Sequence, residues 1–528
     1  MQPHSRILRS FLLTTLLTTA SRLIITTALV APSAAASAPQ SNSDDTRVRR
    51  VENGIPPIPL GANEPPLQLN LQQLMEFYKV PAVSIAVIDN CKIAWAKAYG
   101  ITEAGGNTSA TAHTLFQAGS ISKTVAATGA LWLVDHGKLS LDEDVNQKLV
   151  TWKVPENEFT KDQKVTLRRL QSHSAGLTVH GFPGYAVGEP TPTLVQIFNG
   201  EKPANTAPIR VDVVPGTQFR YSGGGVTVEQ QLMMEVTGKQ FPQFMRETVL
   251  DKIGMTDSSF EQPLPPDRAK FAASGTLGDG KVVPGKWHIY PEMAAAGLWT
   301  TPTDLGKFGI EIALSKQGKA NHVLSQAMTR EMLTPQIDHV GLAFFLGEGN
   351  NPEEFGHDGD DDGFQADLIM FADSGKGIAV MANSDNGHAL AQFLVQSVAK
   401  EYGWNYTSQP NPVDLLGLIA SARGAQIAMQ KYEELKSSSP KDLDEQTLIQ
   451  LAYGILSTGK VEDAIQVFKL EVQEYPKYWN AYDSLGEAYM DAKQNDLAVQ
   501  NYEMSITLKP DNQNGINMLK KLKQQKQP

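Results

Sequence analysis

The chain has 528 residues, of which 41% are hydrophobic, with a formal net charge of −11 and a single cysteine. This length exceeds what one hydrophobic core usually serves, so two or three domains are expected. The acidic balance, without a Lys/Arg-rich stripe, argues against a nucleic-acid partner. One cysteine excludes an internal disulfide and a Cys-based zinc site.

The first 36 residues have the pattern of an export signal. Their charged side chains are Arg6, Arg9 and Arg22, an apolar run covers 23–30, and small residues follow at 34–38. The alternative is an uncleaved anchor, but Arg22 divides the apolar stretch, and neither half approaches the ~20 residues that span a bilayer. We therefore predict a signal peptide over 1–36, a periplasmic or secreted protein, and no stable membrane span after cleavage.

Residues 37–66 are rich in Ser, Asn, Asp and Pro without hydrophobic periodicity, so we expect a disordered linker there. Ordered structure is predicted from Leu67 onwards. The spacing of apolar residues predicts a short helix over 71–78 and a hairpin of two strands at 83–88 and 93–98.

The end of this domain mirrors its beginning. Two strands are predicted at 368–371 and 377–382, followed by an amphipathic helix over 389–402 that Gly403 ends. The middle, about 120–320, is mostly helix and loop. These elements predict an α+β fold, in which one antiparallel sheet is assembled from both ends of the domain and flanked by helices, with a helical insertion between its halves.

From about residue 414 the pattern is helical and contains a repeat. Four pairs of similar residues lie 34 positions apart: Ala452/Gly486, Ala464/Ala498, Phe468/Tyr502 and Pro476/Pro510. This period resembles the tetratricopeptide repeat (TPR), and we predict an all-α TPR-like domain over 414–528. Such a domain either extends the scaffold or offers a groove to a protein partner.

The candidate nucleophile is Ser120, in the pattern Ser-x-x-Lys that ends at Lys123. A serine and a lysine three positions apart on a helix point the same way, so the amine can take part in deprotonating the hydroxyl. The same pattern also begins at Ser397, Ser438 and Ser457. Only Ser120 follows a glycine at a predicted helix start, where its own backbone N–H can point at a developing oxyanion.

Two further segments fit a site of this kind. Tyr221 and Gly223 lie in a glycine-rich turn before a predicted helix, where a phenol can relay protons. A tyrosine in that setting is otherwise an ordinary turn residue. The segment 356–359 introduces a strand-like run, so its backbone can supply a second oxyanion donor, and His357 can contact the edge of a substrate.

Five ordered segments together resemble the class C β-lactamase, D-aminopeptidase and D,D-carboxypeptidase group of the serine β-lactamase/penicillin-binding-protein superfamily. They cover residues 116–145, 170–177, 215–225, 253–260 and 295–305. The resemblance extends over about 67–405 and implies a β-lactamase/transpeptidase-like fold there. It also implies acyl transfer through an acyl-enzyme, a small-molecule or peptide substrate, and no metal or other cofactor.

The resemblance assigns roles to individual residues. It implies that Ser120 is acylated, that Lys123 holds it reactive, and that Tyr221 acts as general base and acid. His357 to Gly359 stands where the family has Lys-Thr-Gly or His-x-Gly. The backbone N–H groups of Ser120 and Asp360 would then form the oxyanion hole.

Two departures from the family pattern bear on the substrate. Gly223 stands where β-lactamases have the asparagine of Tyr-x-Asn, and the acidic residues at 358 and 360–362 suit a substrate carboxylate poorly. We therefore expect an esterase, amidase or D-amino-acid peptidase with at most weak β-lactam hydrolysis. The alternatives are a β-lactamase or D,D-carboxypeptidase proper, and a non-catalytic penicillin-binding sensor that signals through the TPR-like domain.

Other site classes are less favoured. Residues 358–363 match the opening of a calcium loop, but position 12 is Ile369 instead of Glu, and a strand is predicted where such a loop has a helix. The sequence has no His-Glu-x-x-His cluster of a metal hydrolase and no Gly-x-Ser-x-Gly of an α/β-hydrolase.

Overall fold

The structure is a computed structural model and describes residues 41–60, 64–349, 351–406 and 408–525. The predicted signal peptide lies outside the described residues. Within those ranges, no helix combines the length and the apolar character that crossing a bilayer requires.

A six-stranded antiparallel sheet organises the part of the chain before residue 405. All strands of the described residues, including four that lie outside this sheet, are β1 (Ala82–Asp89), β2 (Lys92–Gly100), β3 (Phe116–Gln117), β4 (Tyr185–Ala186), β5 (His288–Ile289), β6 (Trp299–Thr300), β7 (Phe345–Leu346), β8 (Glu354–Asp361), β9 (Phe364–Phe371) and β10 (Lys376–Ala382). The order in the large sheet is β2-β1-β10-β9-β8-β7, and β3 with β6 and β4 with β5 form two small pairs. The predicted sheet built from both ends of the domain is therefore confirmed.

Helices flank the sheet and fill the insertion between its halves. They are α1 (Ser41–Asn53), α2 (Leu71–Phe77), α3 (Ile121–Asp135), α4 (Leu167–Gln171), α5 (Leu194–Asn199), α6 (Gly223–Thr237), α7 (Phe241–Met245), α8 (Asp251–Ile253), α9 (Pro266–Ala269), α10 (Met293–Ala296), α11 (Pro302–Lys316), α12 (Gln326–Met332) and α13 (Gly387–Tyr402). The C-terminal helices are α14 (Pro412–Arg423), α15 (Ala425–Ser438), α16 (Thr447–Ser457), α17 (Val461–Glu474), α18 (Trp479–Asp491), α19 (Asn495–Leu508) and α20 (Gln513–Gln525).

Two hydrophobic cores lie on the two faces of the sheet. Along β10, Ile378 and Val380 belong to one core, whereas Ala379 and Met381 belong to the other. This alternation follows from the two-residue period of a strand. The core of Ala379 and Met381 contains α3 and the helices of the insertion, and the opposite core, called the rear core, contains α13 and the C-terminal helices.

The helix that begins after Ser120 is buried over most of its length. Every residue of α3 from Ile121 to Leu131 is buried. Ala126, Ala127 and Ala130 are at most 1% exposed, and their small side chains allow α6 and α10 to pack closely against α3. A helix enclosed in this way holds the residues at its N-terminus in fixed positions.

The described part of the predicted disordered linker is ordered, so that expectation is wrong for residues 45–60. Arg50 of α1 forms an ion pair with Glu401 of α13 at 2.6 Å. Five apolar side chains of this segment are at most 8% exposed: Val48, Val51, Ile55, Ile58 and Leu60. They join the rear core. Because the polar residues between them dominate the composition, the segment looked like a spacer.

The C-terminal helices pack as antiparallel neighbours and cover the rear core. The residues of the first three repeat pairs lie at helix contacts: Ala452, Ala464, Phe468, Ala498 and Tyr502 are at most 1% exposed, and Gly486 faces the ring of Tyr502. This arrangement fits the predicted TPR-like domain. The Tyr78 hydroxyl donates a hydrogen bond to the Asp414 carbonyl at 3.2 Å, which joins the helices to the sheet domain.

Candidate active site

Ser120 lies where a short strand meets a buried helix. β3 pairs with β6, and the Ala118 N–H donates to the Leu298 carbonyl at 2.9 Å, which fixes the approach to the turn. Gly119 has a φ of +48°, a conformation that favours glycine. Ser120 then takes the N-cap position of α3. The predicted placement of Ser120 at a helix start is observed.

Lys123 lies one turn along α3 and reaches back to Ser120. Its Nζ is 2.7 Å from the Ser120 Oγ and 2.7 Å from the Ala295 carbonyl oxygen. Burial lowers the pKa of Lys123 to about 7, and the nearby Asp361 and Asp358 only partly oppose this effect. A neutral amine donates to the Ala295 carbonyl and keeps its lone pair for the Ser120 hydroxyl proton.

Tyr221 comes from the turn before α6 and completes the group. Its hydroxyl interacts with the Ser120 side chain, which partly offsets the effect of burial on the phenol's pKa, and the Lys123 Nζ lies 5.1 Å from the centroid of its ring. The rings of His173 and His180 lie 4.2 Å and 4.8 Å from the Tyr221 ring, between centroids. Burial raises the pKa of Tyr221, so the phenol keeps its proton at neutral pH.

The edge of β8 passes so close to the Ser120 turn that two glycines are required. A Cβ at Gly359 would lie 2.0 Å from the Ala118 carbonyl oxygen and 3.2 Å from the Ser120 nitrogen. A Cβ at Gly119 would lie 2.3 Å from the Asp360 nitrogen. The structure therefore brings together the two backbone segments predicted to carry the oxyanion donors.

His357 is a neutral, buried side chain beside this edge. Its Nδ1 donates to the Asp358 carbonyl at 2.5 Å, and burial lowers its pKa to about 4. The Nε2 is buried and has no hydrogen-bond partner among the described residues. In the neutral ring with a proton on Nδ1, Nε2 is an acceptor.

The acidic residues of β8 differ in their environments. Asp361 is 4% exposed, and burial raises its pKa well above the ordinary value. Asp358 and Asp360 are exposed positions of the strand. The Asp360 carboxylate accepts a hydrogen bond from Gln365 at 3.4 Å.

These side chains open onto a cavity of about 510 Å³. Its lining comprises Ser120, Lys123, His180, Gly181, Phe182, Phe219, Tyr221, Ala295, Ala296, Phe345, His357, Asp358, Asp360 and Asp361. Gly223 does not belong to this lining among the described residues. Its N–H donates to the His180 carbonyl at 2.8 Å and is thus engaged within the protein, so Gly223 supports the loop that carries His180.

His173 is not placed as a base. Its Nδ1 accepts a hydrogen bond from the Ser222 N–H at 3.2 Å, and burial lowers its pKa well below the ordinary value.

Residues 358–361, the opening of the possible calcium loop, are extended strand, and the chain turns at 362–363 into β9. Among the described residues, no group of three or more His, Cys, Asp or Glu is arranged to hold a metal ion.

The sequence model of the Beta-lactamase family matches residues 67–401. The chain belongs to the Beta-lactamase family. Among curated relatives, a β-lactamase of Pseudomonas fluorescens is 29% identical, over 44% of this chain and 60% of its own length. An unguisins hydrolase of Aspergillus campestris is 27% identical over 63% of this chain and 66% of its own length. Penicillin-binding protein 4 of Amycolatopsis lactamdurans is 24% identical over 65% of this chain and 93% of its own length.

A solved structure shows the same fold for this member of the Beta-lactamase family. The octameric penicillin-binding protein homologue from Pyrococcus abyssi superposes with a TM-score of 0.54 at 21% identity, covering 66% of this chain and 80% of that chain. The predicted β-lactamase/transpeptidase-like fold is therefore confirmed. The family match over residues 67–401 assigns the chain to a family whose members are generally serine hydrolases.

Sequence reasoning missed several cavity residues. Phe345 lies in a two-residue strand without a recognisable period, and His180 and Phe182 lie in a loop. Ala295 lies in a segment that resembles the family, but a backbone carbonyl carries no sequence signal of its own. For these positions only the folded chain shows the contact.

Proposed function

We propose that the protein is an active-site serine hydrolase that acts through an acyl-enzyme on an ester, amide or D-aminoacyl peptide. The observation that carries the proposal is the contact of 2.7 Å between the Lys123 Nζ and the Ser120 Oγ, with Tyr221 against both. A buried amine whose pKa is near 7 is a suitable base at neutral pH.

The proposed reaction begins with transfer of the Ser120 proton to Lys123. The Oγ attacks the substrate carbonyl carbon, and the backbone N–H groups of Ser120 and Asp360 stabilise the oxyanion. Tyr221 keeps its proton and donates it to the leaving group, and Lys123 then restores the phenol. Water attacks the ester of the acyl-enzyme in the same way, which releases the acid and frees Ser120.

The relatives support hydrolysis but leave the substrate open, because they are named as a β-lactamase, an unguisins hydrolase and a penicillin-binding protein. The acidic strand β8 argues against a substrate whose recognised group is a carboxylate. We therefore propose an esterase, amidase or D-amino-acid peptidase, with β-lactam hydrolysis at most a weak activity. The export-signal pattern supports a periplasmic or secreted location.

Labelling of the nucleophile tests this proposal. Ser120→Ala should abolish labelling by a fluorophosphonate probe and turnover of p-nitrophenyl acetate. The matched control is Ser457→Ala, because Ser457 also begins a Ser-x-x-Lys sequence but is exposed in the C-terminal helices. That variant should retain both properties. Turnover that survives in Ser120→Ala would refute the assignment, and labelling without turnover of any ester or amide would favour the sensor.

A further inference from the structure

The cavity carries an unbalanced negative charge. Three aspartates line it, and Lys123 is the single lysine or arginine among its described lining residues. Lys123 is needed as a neutral base, and His357 is neutral at pH 7 because burial lowers its pKa to about 4. Burial raises the pKa of Asp361 well above its ordinary value and also raises that of Asp360. Asp358 and Asp360 are the exposed positions of β8, so these two carboxylates are the ones that a ligand in the cavity can meet.

Asp358 is the carboxylate that is free to meet a ligand. Its side chain is 62% exposed, and among the described side chains none donates a hydrogen bond to it. The nearest imidazole nitrogen, His357 Nδ1, is 4.0 Å away and donates to a backbone carbonyl instead.

Asp360 is partly compensated from outside the cavity. Burial lowers the pKa of His388, but Asp367, at 3.0 Å, and more distant Asp358 and Asp360 outweigh burial and raise it to about 9. The resulting cation interacts with both Asp358 and Asp360, but only Asp360 also accepts the Gln365 hydrogen bond. Asp358, whose side chain is 62% exposed, is therefore the more available counter-charge for a cation in the cavity.

Unpartnered acceptors and aromatic rings line the same cavity as this carboxylate. Two lining residues that are at most 6% exposed, His357 and Asp361, each have a buried side-chain atom without a hydrogen-bond partner among the described residues. The rings of Tyr221 and Phe345 lie nearly parallel, 6.5 Å apart between centroids, and the His357 ring is 5.0 Å from that of Phe345. Aromatic faces attract cations, and acceptors satisfy the N–H groups of an ammonium.

We propose that the substrate carries a primary ammonium group, with the Asp358 carboxylate as its main counter-charge and Asp360, His357 and the faces of Tyr221 and Phe345 around it. This inference rests on the proposed serine-hydrolase function and names its substrate class. The proposed site therefore binds a positively charged group of the substrate, whereas a site that recognises a carboxylate binds a negatively charged one.

Two pairs of isosteric substrates test the proposal. D-Alanine p-nitroanilide and isobutyric p-nitroanilide differ by an ammonium against a methyl group on the acyl side. 4-(Aminomethyl)phenyl acetate and 4-ethylphenyl acetate differ in the same way on the leaving-group side. We expect kcat/KM to favour the ammonium member of at least one pair, and the preference to fall as ionic strength rises.

Asp358→Asn identifies the counter-charge. Because the carboxylate is largely exposed, we expect the preference for the ammonium substrate to fall about fivefold in Asp358→Asn, and further in the variant with Asp360→Asn added. The control is Asp362→Asn, which removes a charge from the same segment outside the cavity lining and should keep the preference. The comparison of variants cancels any intrinsic difference in reactivity within a pair.

The outcomes separate this inference from the proposed function. Turnover that depends on Ser120, with no preference in either pair or with a preference unchanged in Asp358→Asn, would overturn the ammonium site alone. Failure of Ser120 to react with any probe would overturn both. If turnover is slow, the readout is protection of Ser120 from reaction with the fluorophosphonate. Benzylamine should then protect Ser120 better than a neutral alcohol of similar size does. Equal protection by the two ligands would count against the ammonium site.

Discussion

At the scale of single residues, the proposed mechanism makes the reaction of Ser120 depend on the protonation of Lys123. The amine is enclosed by α3, α10 and β8, so burial disfavours its charged form, while the aspartates of β8 favour it. Burial has the larger effect. The same burial raises the pKa of Tyr221, which separates the roles of the two groups at neutral pH.

This separation predicts the pH dependence of catalysis. Below pH 7 Lys123 is protonated and cannot accept the Ser120 proton, so kcat/KM for p-nitrophenyl acetate should rise with pH through a limb whose midpoint is near the Lys123 pKa of about 7. A pH–rate profile of the free enzyme measures that midpoint. A profile flat between pH 5 and 8 would contradict the role of Lys123 as base.

Tyr221→Phe serves as the control for that profile. Loss of proton donation should lower kcat by about 10²-fold. The midpoint should remain near 7, because burial raises the Tyr221 pKa out of this range. Disappearance of the limb in Tyr221→Phe would instead assign the titration to the phenol.

At the scale of elements, the position of β8 against the Ser120 turn controls the oxyanion donors. Gly359→Ala would place a Cβ 2.0 Å from the Ala118 carbonyl oxygen, so strand and turn must separate. We expect kcat for p-nitrophenyl acetate to fall by about 10²-fold, as for loss of one oxyanion donor. Circular dichroism should show that the variant remains folded.

The matched control for this substitution is Gly454→Ala in α16. A Cβ there meets no heavy atom within 4 Å, and alanine is the better helix former. This variant should keep its full kcat. Full activity in Gly359→Ala would show that close approach of β8 is not needed for catalysis.

The sequence predicts those elements whose position is set by the local spacing of apolar residues. The strands at 82–100 and 364–382, the helix over 387–402 and the Ser120–Lys123 pair follow from spacing and turn residues. The segment around His357 was expected to precede a strand, but it is itself part of β8. The sequence does not indicate this strand, because its glycines and aspartates hide the alternation of buried and exposed positions. The ordered segment 45–60 was missed although Val48, Val51 and Ile55 have helical spacing, since composition was given more weight than period.

At the scale of the whole molecule, the rear core is shared between the sheet domain and the C-terminal helices. Side chains of β1 and β10 lie in the same cluster as Leu416 and Leu451. Independent domains would unfold separately, whereas a continuous core couples them. The C-terminal helices are therefore expected to stabilise the part of the chain that carries the cavity.

Leu416→Ala tests this coupling. Leu416 is fully buried, so its truncation should reduce the free energy of unfolding by about 2–5 kcal/mol. The temperature at which half of the esterase activity is lost should fall with it, although Leu416 lies outside the family match. The control is Leu497→Ala, because Leu497 is 37% exposed and its loss should change stability by at most about 0.5 kcal/mol. An unchanged inactivation temperature in Leu416→Ala would show that the two parts are independent.

The separation of the two cores by the sheet also bears on how a protein could bind at the C-terminal helices without blocking access to the cavity. The cavity is lined by residues on the α3 side of the sheet, whereas the C-terminal helices cover the opposite side of the strands. A protein held by those helices would leave the entrance clear. Binding of a protein at that face and access to the cavity would thus not exclude each other, because the sheet lies between the two surfaces.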